Sequence, residues 1–113
     1  GWEEIPYWLR GFYPLAVLLG DKRMLDIAHT YIEAIFKSAD SDGWFGPAYL
    51  KAFKQTENGE PIPDLYPNMI LSDMLCLYYD YTKDERVLPL LDKYFSFCLS
   101  LWVQQMGNQI LLV

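Results

Sequence analysis

Near its start the chain reads "WEEIPYWLRG", setting two adjacent carboxylates, Glu3 and Glu4, beside two indoles, a phenol and the guanidinium of Arg10. Further on, "DLYPN" holds Asp64, Tyr66 and Asn68, and "DSDGWFGP" holds Trp44 on a turn that Gly43 permits. Carboxylates suit general acid–base work on a glycosidic bond, where one protonates the leaving oxygen and another activates water or attacks carbon. Indole faces beside such acids suit the apolar side of a sugar ring. Glu3, Glu4 and Asp64 are therefore the candidate catalytic residues, and Trp8, Arg10, Trp44, Tyr66 and Asn68 the candidate substrate-binding ones. Each has a plainer reading beside it. The acids precede helical segments, whose positive ends favour a carboxylate without any chemistry. Trp8 fits core packing, Trp44 fits a plug that ties its loop down, and Arg10 fits a structural ion pair. Asp42 reads as a turn residue. About sixty residues separate Glu4 from Asp64, and that separation fixes no distance.

The elements that must bring these groups together follow a period of 3.6. A first helix is expected over about Ile5–Leu19, with Pro6 in its first turn and Gly20 ending it. Pro14 cannot donate to the Arg10 carbonyl, which predicts a bend that Gly11 gives room for. Asp21 then caps a second helix, about Lys22–Ser38, with Met24, Ala28, Tyr31 and Ile35 in one stripe beside Leu25, Ile32 and Phe36. The proline- and glycine-rich stretch 40–63 breaks both helical and strand periodicity and reads as a long connection, with one short helical turn near Tyr49–Lys54. A third helix is expected over Leu65–Tyr81, with Pro67 in its first turn and Ile70, Met74, Leu77 and Tyr81 along one face. A fourth is expected over Glu85–Trp102, strained at its opening by Pro89, with Leu88, Leu91, Phe95, Cys98, Leu101 and Trp102 on its apolar face. The tail beyond Trp102 carries no turn signature.

The chain echoes itself. Shifted by 61 positions Pro6 falls on Pro67, and shifted by 63 Asp21, Arg23, Leu25 and Tyr31 fall on Asp84, Arg86, Leu88 and Tyr94. Such self-similarity marks a repeated unit, here a helical hairpin with a short corner at one end and a long return at the other. The expectation is one all-α domain over 1–113, built of antiparallel hairpins at about 1–39 and 64–102 linked by loop 40–63. Corners at Gly20–Lys22 and Thr82–Asp84 then share one end, and Glu3, Glu4, Trp8, the Trp44 loop and Asp64–Asn68 gather at the other.

Composition narrows the partners. Fifteen acidic against nine basic side chains give a formal charge of −6, with no basic stripe, which argues against a nucleic acid or an anionic membrane as partner. The longest apolar stretch, "FYPLAVLLG", falls far short of the roughly 20 residues that cross a bilayer. With 17% aromatic residues the chain carries more rings than a core of this size needs. Cys76 and Cys98 lie in apolar periods and read as reduced core cysteines, and the single His29 reads as a core-edge or solvent-facing residue. No zinc spacing, Ser-His-Asp set or phosphate-binding glycine loop is legible. The compartment stays open among periplasmic, extracellular and cytoplasmic.

With "WEEIPYWLRGFYPLAVLLGD", "DGWFGP" and "DLYPNMILSDMLCLYYDYTKDERVLPLL" in this order, the chain resembles the six-hairpin glycosidase superfamily over about residues 1–101. Within it, the chain looks closest to bacterial proteins of glycoside hydrolase family 127, the β-L-arabinofuranosidase-like group. The resemblance implies an (α/α)6 toroid around a sugar pocket, of which two of six hairpins are represented, so the chain is expected to be an incomplete, inactive piece of a longer parent. It implies an oligosaccharide or glycoside as that parent's ligand, and the missing hairpins or self-association as partners of this segment. Arabinofuranosidases of the family use a cysteine nucleophile held with further cysteines and a glutamate around zinc. "DMLCLYY" around Cys76 and "SFCLSL" around Cys98 do not match that metal segment, so no cofactor is expected here, while zinc in the parent stays open. Other readings are a different α/α-toroid enzyme, such as an unsaturated uronide hydrolase or a lanthionine-type cyclase, and a helical protein-interaction module. The cyclase would need a His/Cys zinc set that this sequence lacks.

Overall fold

The computed structural model describes residues 4–111, with side chains described through residue 107. Glu3 lies outside the described residues. The chain folds as α1 (Glu4–Leu19), α2 (Lys22–Lys37), a single turn α3 (Ala48–Lys51), the strand pair β1 (Lys54–Gln55) and β2 (Pro61–Ile62), α4 (Tyr66–Thr82) and α5 (Val87–Leu111). The all-α character and the two hairpins are as expected. The strand pair is not. Lys54 faces Ile62 and Gln55 faces Pro61 in an antiparallel register too short to leave a periodic signal.

The two corners are set by local causes. Asp21 accepts the Met24 N–H at 3.0 Å and caps α2. Gly20, at φ +62°, ends α1 in the left-handed conformation that a residue without Cβ adopts freely. Its counterpart at the second corner is Lys83, which takes φ +56° despite its side chain and donates its N–H to the Tyr79 carbonyl. Pro14 leaves α1 unbroken. Pro89 is the third residue of α5, where an N–H has no intrahelical acceptor to lose, so the proline fits the opening turn.

Within each hairpin the helices are antiparallel, but α1 and α4 run side by side in the same direction. Tyr7 meets Tyr66, Arg10 meets Asp73, and Tyr13 meets Tyr78 and Tyr81, so partners advance together along both helices. The buried stripe Pro6, Leu9, Tyr13 and Ala16 on α1 follows helical spacing and joins Ile32 and Ile35 of α2 and Leu71, Met74 and Leu75 of α4 in one core. Burial, and then the neighbouring phenols of Tyr78 and Tyr81, push the Tyr13 hydroxyl up to about 12. Arg86, at the second corner, reaches back to α2. It donates to both carboxylate oxygens of Glu33 at 2.9 and 2.6 Å and to Asp84 at 2.8 Å, and its guanidinium lies 4.1 Å from the Phe36 ring centre.

Two expected faces are corrected. On α4 the buried apolar positions after Pro67 are Ile70, Leu71, Met74, Leu75 and Tyr78, while Leu77 is half-buried and Tyr81 exposed, because the face turned to the core is rotated from the expected stripe. On α5 the core takes Val87, Leu91 and Tyr94, leaving Leu88, Phe95 and Trp102 exposed on a face that no described element covers. The tail continues as helix to Leu111, and the molecule extends 56 Å in its longest dimension. Cys98 is half-buried, but Cys76 is exposed and not a core residue, since it falls off the buried α4 stripe of Leu71, Met74, Leu75 and Tyr78.

Candidate functional site

At the end away from the corners, α1 and α2 form a depression of about 390 Å³ lined by Glu4, Ile5, Trp8 and Tyr31. One helical turn separates Glu4 from Trp8, which puts carboxylate and indole on the same face. Trp8 stacks on Phe12 at 4.5 Å and 19°, meets the edge of Tyr31 at 5.2 Å and 64°, and keeps 42% of its surface exposed. Its orientation is therefore fixed by two rings while part of the indole stays open to solvent. Through Ile5 and Tyr31 the depression continues into an apolar cleft of about 340 Å³ whose walls include Leu9, Ala34, Ile35, Pro47 and Leu71. Ser38 also lines this cleft, but its hydroxyl is engaged, donating to the Ile35 carbonyl at 2.6 Å and accepting from the Gly46 N–H at 2.8 Å.

Tyr66 and Arg10 stand on another side of α1. The Tyr66 hydroxyl meets that of Tyr7 at the seam with α4. Arg10 lies 3.6 Å from Asp73 and 5.5 Å from the Tyr7 ring centre, which assigns it the structural role of joining α1 to α4. Both partners are substantially exposed, so this pair contributes at most about 1 kcal/mol. Two residues apart on a helix, Arg10 and Trp8 point about 200° apart and do not serve one ligand.

Trp44 and Asn68 need correction. Trp44 is 1% exposed, with its ring 6.3 Å from Tyr94 and 5.9 Å from Phe97, and Phe45 packs 4.8 Å from Tyr94. The pair is a hydrophobic plug seated on α5, and its rings offer no face to a ligand. Gly43 makes the seat: a Cβ there would lie 2.2 Å from the Lys93 carbonyl oxygen. Asn68 is fully buried and donates Nδ2–H to the Phe45 carbonyl at 2.8 Å, fastening the plug to the start of α4. Burial, followed by the hydrogen bond with the Cys98 thiol, pushes the Tyr94 hydroxyl up. Asp64 accepts the Tyr66 N–H at 3.1 Å and shapes the entry to α4, which is its turn role. Asp42 likewise accepts the Trp44 N–H at 3.1 Å and pairs with Lys51 at 2.7 Å, and Lys51 holds its carboxyl below the usual aspartate value.

Of the candidates, then, Glu4 and Trp8 share a depression, Tyr66 and Arg10 lie on the seam, and Trp44 and Asn68 are buried together. Tyr31, Phe12 and Tyr7 complete these surroundings without having been singled out. Tyr31 was legible as an α2 stripe residue, but its place at the edge of that stripe, beside Trp8, depends on how α1 and α2 cross. The Cys98 thiol is pushed up by burial, and among the described residues no group of three His, Cys, Asp or Glu is placed to hold a metal ion. No described helix is long and apolar enough to cross a membrane. Comparison with protein-family models, curated proteins and solved structures gives no match to this chain.

Proposed function

We propose that this chain forms two hairpins of an (α/α)6 carbohydrate-active domain and supplies part of the wall of a glycoside pocket, with an L-arabinofuranoside or related plant glycan as its ligand. The observation that carries the reading is the parallel pairing of α1 with α4. An up-and-down bundle places sequential neighbours antiparallel, whereas a ring or solenoid of hairpins repeats its first helix in one direction, so all helix starts reach one rim. On that rim Trp8 and Tyr31 offer ring surface and Glu4 a carboxylate, the groups that bind a sugar's apolar face and its hydroxyls. Glu4 would fill one half of an acid–base pair, and the other half would come from elsewhere in the ring. The motif order of the opening section supports the same assignment.

The test is a titration of the 113-residue chain with arabino-oligosaccharides, read by chemical shifts. Shifts should concentrate at Glu4, Trp8 and Tyr31. Trp8→Ala should weaken binding roughly fivefold to tenfold, the share of one stacked ring, while Lys37→Ala on the solvent face of α2 leaves it unchanged. A folded Trp8→Ala chain with unaltered affinity would sink the sugar assignment. A second reading, a protein-interaction module, is favoured by the exposed Leu88, Phe95, Leu99, Trp102 and Met106 on α5. It predicts no sugar shifts at all and concentration-dependent association through α5.

A further inference from the structure

The self-similarity of the chain extends to its clefts. Shifted by 63 positions, the cleft residues Tyr31, Ala34 and Ile35 of α2 fall on Tyr94, Phe97 and Cys98 of α5. Those α5 positions are where the plug sits: Trp44 lies against Tyr94 and Phe97, and Phe45 against Tyr94. One hairpin thus has its cleft filled by a Gly-Trp-Phe segment from the loop that follows the preceding hairpin. In the other hairpin the corresponding cleft is open, walled also by Leu71 of α4 and by Gly46 and Pro47 of the loop. The paired tyrosines record the difference, since Tyr94 is 3% exposed and Tyr31 39%.

We propose that the open α1–α2 cleft is the docking site for an aromatic loop of the Gly-Trp-Phe kind, supplied by a neighbouring helical hairpin. Three features fit such an occupant. The cleft holds about 340 Å³ between Ile5, Tyr31, Ala34, Ile35 and Leu71, apolar walls for aromatic rings. Ala34 is a small residue where the second hairpin has Phe97, which leaves the first cleft more room. Thr30 of α2, the counterpart of Lys93 under the same shift, is exposed, as Lys93 is where Gly43 approaches α5. The anchors differ in one respect. Tyr7 stands where the second hairpin has Asn68, so the loop docks by ring burial without a side-chain amide on its carbonyl.

Docking covers Ile5 and Tyr31, which the cleft shares with the depression, and leaves Glu4 and Trp8 exposed. The counterpart of Trp8 under a 61-position shift is Met69, which stays 62% exposed although its own hairpin carries a seated plug. The inference therefore rests on the hairpin-repeat part of the function proposed above and not on its carbohydrate part. Loss of sugar shifts at Trp8 and loss of loop docking at Ala34 are separate outcomes.

The probe is the octapeptide DSDGWFGP, residues 40–47 of this chain, added in trans to the full chain and followed by chemical shifts. Expected are shifts at Ile5, Tyr31, Ala34 and Ile35, with the Tyr31 ring becoming protected. Replacing the peptide's glycine at the Gly43 position with alanine should weaken binding about tenfold or more, through the backbone clash that a Cβ makes. Ala34→Glu in the protein should abolish it. The peptide-side change leaves the protein untouched, so its outcome does not depend on a variant folding. Equal binding of the glycine and alanine peptides, or shifts confined to α5, would overturn the proposal. So would Tyr31 protection that grows with protein concentration in the absence of peptide, which would assign the cleft to a second copy of this chain.

Discussion

The two hairpins place a tyrosine at the same turn of their second helix, yet Tyr94 is buried under Trp44 and Phe45 while Tyr31 lies open beside Trp8. Similar periodicity in α2 and α5 thus ends in different environments. What separates them is a segment outside both helices, the turn at Gly43, which brings two rings onto α5 at the level of Lys93. A helix face can be apolar for a reason its own residues do not display. The lesson extends to the two tryptophans: Trp44 is a packing element, and Trp8 is held by Phe12 and Tyr31 at the surface.

The sharpest break in this comparison comes from truncating each ring. Trp44→Ala should cost about 3–5 kcal/mol of unfolding free energy, as a buried large ring does, and should expose Tyr94. Trp8→Ala should cost under about 1 kcal/mol, because the indole is 42% exposed and leaves no enclosed cavity. Urea midpoints decide between them, and equal shifts would erase the distinction between plug and surface ring.

A smaller difference separates the corners. Hydrogen bonds from Arg86 hold the Asp84 carboxyl well below its ordinary 3.8, and Arg86 likewise lowers that of Glu33 from its ordinary 4.5. A depressed folded value means that the stabilisation is fully present above the unfolded value and is lost as pH falls toward the folded one. Thermal midpoints should therefore decline below about pH 4.5, the ordinary Glu33 value. Asp84→Asn should lower the midpoint at neutral pH and flatten that decline. At the first corner Asp21→Asn should change little at neutral pH, because asparagine caps a helix about as well. An Asp84→Asn protein with an unchanged acid limb would remove the Arg86 cluster from this account.

Much of the architecture was legible in the sequence. Gly20 and Asp21 marked one corner, Asp84 and Arg86 the other, and the 3.6 period gave the four long helices. What periodicity does not carry is the rotation of a stripe relative to its neighbours. Leu88, Phe95 and Trp102 recur every seven residues and read as core, yet the core takes the adjacent stripe of Val87, Leu91 and Tyr94, the last of these under Trp44 and Phe45. The site was legible as residue types at helix starts, and Glu4 and Trp8 do share a depression. Asp64 and Asn68 sat equally well by position, but their partners, the Tyr66 N–H and the Phe45 carbonyl, are backbone groups that no side-chain pattern announces.

The parallel seam between α1 and α4 also sets an order of events. Tyr7 and Tyr66, joined across it, are 59 positions apart, whereas the hairpin contact of Trp8 with Tyr31 closes a far shorter loop. Closing the longer loop costs more chain entropy before any contact rewards it, so local hairpins precede the seam during folding. Loosening the seam with Tyr13→Leu should then mainly speed unfolding and leave the refolding rate nearly unchanged, and stopped-flow traces showing slowed refolding instead would place the seam in the folding nucleus.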